Sequence, residues 1–266
     1  MLQELADGKI LAGAADGIAR IVVNNPEKRN AVSLAMWEAV ARALAGFAAD
    51  PSVRVLIVSG AGGRAFVSGA DISRFEQERT GEDAVARYNT AAEAAYAALA
   101  AFPRPVIAAI DGACVGGGLA LAVACDIRLA AEDSRFGLPA ARLGLGYPFR
   151  GIARLVGVVG RAAAAEILFT AALYDAQAAK GWGLVNRLLP AGEVQAAAGA
   201  LAAEIAANAP LTVAAAKRAL IEHARDGEAR DLAAVQAMVA AAFASADYRE
   251  GQAAFRDKRA PRFTGA

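Results

Sequence analysis

A chain whose short, almost wholly apolar runs alternate with long alanine-rich helical patterns has few ways to fold, and residues 1–200 show that alternation throughout. The runs at 18–24 and 53–60 read as strands, the second holding Val53, Val55, Leu56, Ile57 and Val58 and ending at Gly60. Residues 106–110 read as a third strand, stopped by Asp111-Gly112, and 127–130 as a fourth. Between them 33–49 and 81–101 have helical periodicity, with Ser33 placed to cap the first. Strands this continuously apolar must be covered on both faces, which predicts an α/β body. Beyond residue 200 the strand signal stops. Residues 201–208, 211–225 and 229–244 read as helices, broken by Pro210 and Gly227, and a basic tail follows with Arg249, Arg256, Lys258, Arg259 and Arg262. The division expected is a body over 1–200 and a helical oligomerisation region over 201–266. The apolar faces of that region, 232–246 above all, exceed what the remaining chain can cover.

Composition removes several classes of function. A net charge of +1 offers no attraction to nucleic acid or to a membrane surface. The longest uncharged run, 232–246, is shorter than the ~20 residues of a membrane span. Residues 1–20 contain Glu4, Asp7, Lys9 and Asp16 and show no secretory signal, so a cytoplasmic protein is expected. Cys114 and Cys125 lie in an apolar stretch and read as buried free thiols. The one histidine, His223, sits in a helical pattern and reads as solvent-facing; a zinc site or a Ser/His/Asp triad would lack its other members. Gly116-Gly117-Gly118 lacks the spacing of a dinucleotide or phosphate loop.

Four stretches in order resemble the enoyl-CoA hydratase/isomerase (crotonase) superfamily: NNPEKRNAVS at 24–33, RAFVSGADIS at 64–73, RPVIAAIDGACVGGGLALAVACDIRLA at 104–130 continued by SRFGLPAARLGLG at 134–146, and DYREGQAAFRDKRAPRF at 247–263. The resemblance implies a spiral of ββα units with a C-terminal α-helical region, assembled as a homotrimer or hexamer. It also implies a CoA thioester substrate, with coenzyme A entering as part of that substrate and no tightly bound cofactor or metal. By position, the backbone amides of Ala70 and Gly117 correspond to the oxyanion-hole donors that stabilise a thioester enolate. The residues agree: glycines let backbone approach a ligand, and a helix opening at Gly116-Gly117-Gly118 turns unbonded amides and its positive dipole end outward. One such donor is worth ~3–4 kcal/mol of barrier. The same matching assigns coenzyme A contacts to Lys28, Arg29, the backbone of Ala70 and Ile72, and Lys258.

The resemblance breaks at the two glutamates that hold water in hydratases of this family. Their positions here are Ala120 and Ala140. A methyl group moves no proton, and general acid–base catalysis contributes ~10² to 10⁴-fold for each group, so ordinary hydration is not expected. One-base isomerases commonly use the Ala140 position and are disfavoured with it. Tyr147, in the loop 143–151, falls where methylmalonyl-CoA decarboxylase carries a tyrosine; decarboxylation of a malonyl-type CoA ester needs no general base, because losing CO₂ leaves the enolate. Tyr147 is equally readable as packing, and Arg150 as a holder of a substrate carboxylate or of a surface aspartate. Asp71 and Asp126 suit turn or cap hydrogen bonds. The readings open from sequence are an enolate-forming acyl-CoA enzyme, a non-catalytic acyl-CoA-binding protein, and an interaction module.

Overall fold

In a computed structural model, which describes residues 2–71 and 81–266, the chain opens with three antiparallel strands. These are β1 (Gln3–Leu5), β2 (Ile10–Ala15) and β3 (Ile18–Val23). Asp16 and Gly17 join β2 to β3 at φ 53° and 77°, the left-handed pair that a two-residue hairpin needs. β3 buries Ala19, Ile21 and Val23. The first helix, α1 (Leu34–Ala49), starts where Ser33 accepts a hydrogen bond from Met36 N.

The chain then winds as strand pairs. β4 (Val55–Gly60) is followed by β5 (Ala65–Val67) and α2 (Glu82–Ala100); β6 (Val106–Ile110) by β7 (Ala113–Val115) and α3 (Gly117–Val123); β8 (Ile127–Ala131) by β9 (Arg135–Gly137). A 22-residue helix, α4 (Phe149–Thr170), bends at Gly160 and leads into β10 (Tyr174–Asp175), α5 (Ala176–Gly181) and β11 (Arg187–Leu189). Each pair gives its first strand to a large sheet of order β1-β2-β3-β4-β6-β8-β11 and its second to a small one of order β10-β9-β7-β5. That alternation between two sheets is the ββα spiral the resemblance implied. It repeats in structure with no repeat in sequence.

Both faces of the large sheet are buried, as the unbroken apolar strands required. Val55, Ile57, Ile107, Ala109 and Leu129 face α6 (Val194–Ala206), which sets Val194, Ala198, Leu201 and Ala202 against them. Leu56, Val58, Val106, Ala108 and Ile110 face the other way, into a core completed by α1, α2 and α3. Helix α6 begins at Val194 rather than at 201 and packs on the sheet, so it belongs with the body. Beyond it lie α7 (Pro210–His223), α8 (Leu232–Ala244) and α9 (Ala246–Arg256). The last had read only as a basic tail. Helix α8 is apolar yet buries none of its residues. No single helix among the described residues is long and apolar enough to cross a membrane.

Candidate active site

The site is built where the end of β5 meets the start of α3. The loop before α1 is fastened to β5 by buried amides. Asn30 Nδ2 donates to Ala61 O and Ala65 O at 2.9 and 2.7 Å, and Asn25 Nδ2 donates to Ala31 O at 2.8 Å. Val32 then bridges Ala70: Val32 N donates to Gly69 O at 2.9 Å and Asp71 N to Val32 O at 3.1 Å. A parallel bridge engages the neighbours of residue 70, so the amide of Ala70 itself points to the opposite side.

That side faces α3. Gly116, at φ 56°, turns the chain into the helix, and a Cβ built on it would lie 3.8 Å from Gly69 Cα. The first bond of the helix is Ala120 N to Gly116 O at 3.1 Å, so the Gly117 amide lies in the unbonded first turn. At the other end the buried Arg128 donates to Cys125 O and Leu184 O, both at 2.6 Å, and to Ala122 O at 3.4 Å. A cation on those carbonyls supports the dipole whose positive end faces the site. Gly69 and the unbonded Gly117 amide thus lie at one junction of β5 with α3.

An aromatic wall backs Gly117. A Cβ there would sit 3.0 Å from Tyr96 Oη and 3.3 Å from Trp37 Cζ2. Trp37 and Tyr96 pack edge to face at 5.1 Å, and Trp37 Nε1 donates to Tyr88 Oη, which donates to Val32 O, each at 2.9 Å. Next to Tyr96, Arg154 of α4 stands 5.8 Å from the ring centroid and forks onto Glu93 of α2 at 3.0 and 2.5 Å. Tyr147 lies over Gly151, where an added Cβ would be 2.7 Å from its ring. Burial pushes its phenol up to about 12, with Arg154 opposing the rise and Glu93 adding to it.

Most residues singled out from sequence fall in or beside this arrangement. Ala70 and Gly117 lie on the two elements that meet at Gly69 and Gly116, and Tyr147 stands by Arg154 and Glu93. Ala120 is buried on α3, and Ala140 lies on a 3-10 turn, Pro139–Leu143. Ile72 lies outside the described residues. Lys28 and Arg29 are exposed on the loop fastened to β5, but the Lys28 ammonium is held by the buried Asp71 carboxylate at 3.0 Å. Asp71 makes an ion pair, and it locks the loop to the strand end carrying Ala70. Lys258 is exposed just past α9, at φ 52°; among the described residues no hydrogen bond or ion pair ties its side chain to Lys28, Arg29, Ala70 or Gly117. Loop 143–151 ends earlier than read, because Phe149 opens α4. Arg150 is exposed in its first turn, and Arg154, one turn on, is the arginine turned inward.

Asp126 is structural: it accepts from Val106 N at 2.8 Å and pairs with the buried Lys217 at 2.5 Å. Cys114 and Cys125 are free and buried, and burial pushes the Cys125 thiol up to about 12. His223 is exposed at the end of α7, and the described residues contain no group of metal ligands. Glu93 and Arg154 were not singled out from sequence. The available signal was that Glu93 is the one charged residue between Arg87 and Arg104.

The sequence can be set beside known proteins. The family model for enoyl-CoA hydratase/isomerase matches residues 13–266. The chain is 38% identical over 259 residues to enoyl-CoA hydratase domain-containing protein 2, mitochondrial, of Bos taurus, covering 96% of this chain and 87% of that one. It is 32% identical over 263 residues to a crotonyl-CoA hydratase of Syntrophomonas wolfei, covering 97% and 99%. A crystal structure of an enoyl-CoA hydratase/carnithine racemase from Magnetospirillum magneticum superposes with a TM-score of 0.91 at 37% identity, over 97% of this chain and 96% of that one. A family model spanning nearly the whole chain, joined to the two-sheet spiral, leads to one conclusion: this chain belongs to the enoyl-CoA hydratase/isomerase (crotonase) family.

Proposed function

We propose that the protein is an enzyme that seats an acyl-CoA thioester with its carbonyl oxygen between the Ala70 and Gly117 amides and stabilises the enolate formed there. The observation that supports this is the meeting of the Gly69-Ala70 backbone with the start of α3, where the Gly117 amide lies in the unbonded first turn and a Cβ on Gly116 would lie 3.8 Å from Gly69 Cα. Coenzyme A enters as part of the substrate. Lys28 and Arg29 line its path together with the backbone of Ala70, and Lys258 reaches its phosphates, in an assembly from a neighbouring subunit.

Ordinary water addition is not the reaction proposed. Ala120 and Ala140 stand where two-glutamate hydratases hold water, and their methyl groups neither take nor give a proton. A second reading, decarboxylation of a malonyl-type CoA ester, is favoured by Tyr147. Its buried phenol keeps its proton at neutral pH and can donate a hydrogen bond to a leaving carboxylate or a nascent enolate.

Assembly follows from uncovered surface. Leu220, Leu232, Phe243 and Phe255 are exposed on the C-terminal helices, Phe255 at 86%, beside an apolar groove of about 710 Å³. This supports a homotrimer or hexamer joined through that region.

The test is calorimetric titration with butyryl-CoA, joined to turnover of crotonyl-, 3-enoyl- and methylmalonyl-CoA. Wild type is expected to bind the thioester and to turn over at least one non-hydration substrate. Gly117→Pro deletes one donor and should slow that turnover by ~10² to 10³-fold. Tyr147→Phe should slow decarboxylation at least tenfold under the second reading. Tight binding with no turnover of any substrate would make the protein a carrier of acyl-CoA instead.

A further inference from the structure

The missing glutamates leave the site without its ordinary proton carriers, yet a carboxylate stands beside the aromatic wall. Glu93 and Tyr96 are three apart on α2 and so share one face of the helix. The Tyr96 hydroxyl lies 3.0 Å from the point where a Gly117 Cβ would be, so this face approaches the start of α3 and carries the carboxylate one turn from Tyr96. Arg154 lies against the Tyr96 ring and grips both oxygens of Glu93. The grip uses one lone pair on each oxygen and leaves another on each for a substrate. The Glu93 side chain keeps 30% of its exposure and Arg154 18%, so the carboxylate is sheltered but reachable. Arg154 Nε is buried with no acceptor among the described residues, so the pair is not a closed structural knot.

We infer that Glu93 is a catalytic residue of this site, the base that takes a proton from the carbon next to the thioester carbonyl, with Arg154 as its positioning residue. The inference rests on the thioester placement proposed above. The C–H electron pair becomes the double bond of the enolate, the charge moves to the carbonyl oxygen between Ala70 and Gly117, and Glu93 becomes the carboxylic acid. Returning the proton to the same carbon exchanges it with solvent. Returning it to the γ-carbon of a 3-enoyl thioester gives the 2-enoyl isomer. Neither path needs water addition, an oxidant or a second substrate, and the substrate class is an acyl-CoA bearing an α-proton.

The experiment is hydrogen–deuterium exchange at the α-carbon of butyryl-CoA in D₂O, followed by proton NMR, with binding by calorimetry and folding by thermal unfolding on the same samples. Wild type is expected to wash out the α-protons. Glu93→Gln keeps the size and most of the contacts, and is expected to bind butyryl-CoA within threefold of wild type while exchanging at least 100-fold more slowly. Glu93→Asp keeps the charge but draws it back by one methylene; it should recover part of the rate, and it serves alone if the glutamine variant does not fold. In Arg154→Lys the exchange rate should fall at saturating butyryl-CoA while affinity holds. Exchange in Glu93→Gln within tenfold of wild type, or in Glu93→Asp equal to wild type, overturns the inference. Wild type that binds butyryl-CoA but exchanges nothing also overturns it and leaves the oxyanion site standing. Wild type that does not bind removes the thioester site, and the inference with it.

Discussion

Gly118 sets the distance between β5 and α3, and replacing it with alanine tests the geometry on which the site depends. A Cβ at this position would lie 2.0 Å from Val67 O and 2.9 Å from Val67 Cβ. Carbon–oxygen contacts ordinarily sit near 3.3 Å, so the start of α3 would have to retreat from β5 by roughly 1.3 Å. The obstacle is a backbone carbonyl in a strand paired with β7, which cannot swing aside as a side chain would. Overpacking of this kind costs ~1–3 kcal/mol, and in a chain of this length each kcal/mol lowers Tm by ~2–4 °C. A fall of roughly 2–12 °C by scanning calorimetry is the expected result. The retreat also carries the Gly117 amide away from Ala70, and a misplacement of ~1 Å can cost on the order of 10²-fold in rate. Gly157→Ala is the control. It lies in α4 with open space around its would-be Cβ, so Tm should hold or rise. A Gly118→Ala protein with wild-type Tm and wild-type turnover would refute the close approach and the oxyanion geometry built on it.

Three further outcomes follow from the same structure. Hydration of crotonyl-CoA, followed by loss of the enoyl absorbance, should be absent or at least ~100-fold below a two-glutamate hydratase; a rate within tenfold would mean another group activates water. Because Tyr147 is held neutral, its contribution to stability is fully present below pH 10 and is lost as pH rises through about 12. At pH 11 wild type should therefore lose ~1 kcal/mol more than Tyr147→Phe in urea unfolding, and equal losses would place the phenol in solvent. Light scattering should give a trimer or hexamer, and Phe255→Asp should dissociate it without unfolding the protomer; a wild-type monomer at micromolar concentration would leave the exposed faces of α8 and α9 unexplained.

The sheet was legible where strands are buried on both faces, because Val55, Leu56, Ile57 and Val58 can be satisfied only between two layers. The short strands of the second sheet were not legible. Ala65–Val67, Ala113–Val115 and Arg135–Gly137 are three residues each, too short for any periodicity to declare itself, and they exist because three such strands stack beside one another. The hairpin before β3 did carry a signal, the Asp16-Gly17 pair, which suits the left-handed backbone that a tight turn demands. Helix α4 was hidden for another reason. It opens at Phe149, inside a stretch rich in glycine and proline, and its break at Gly160 divides the helical pattern in two.

The two halves of the site differ in the same way. Backbone donors leave a mark on the sequence because the chain must do something only glycine allows: turn at φ 56° at Gly116, and tolerate Val67 against Gly118. Those marks are local, so the motifs alone pointed to Ala70 and Gly117 as the donors proposed here. A side-chain base leaves no such mark. Glu93 comes from α2, its partner Arg154 from α4, and Gly117 from α3, so nothing in any one segment announces the meeting. What the sequence held was an anomaly of composition, the one charged residue between Arg87 and Arg104, in a stretch otherwise given to alanine and aromatic residues. On a helix packed against α1 and α3, such a charge must find a partner or reach water, since burying it unpaired is strongly unfavourable. Glu93 does both: it is forked by Arg154 and remains 30% exposed. A purely structural pair gains nothing from that remaining access, whereas a group that exchanges protons with a substrate requires it.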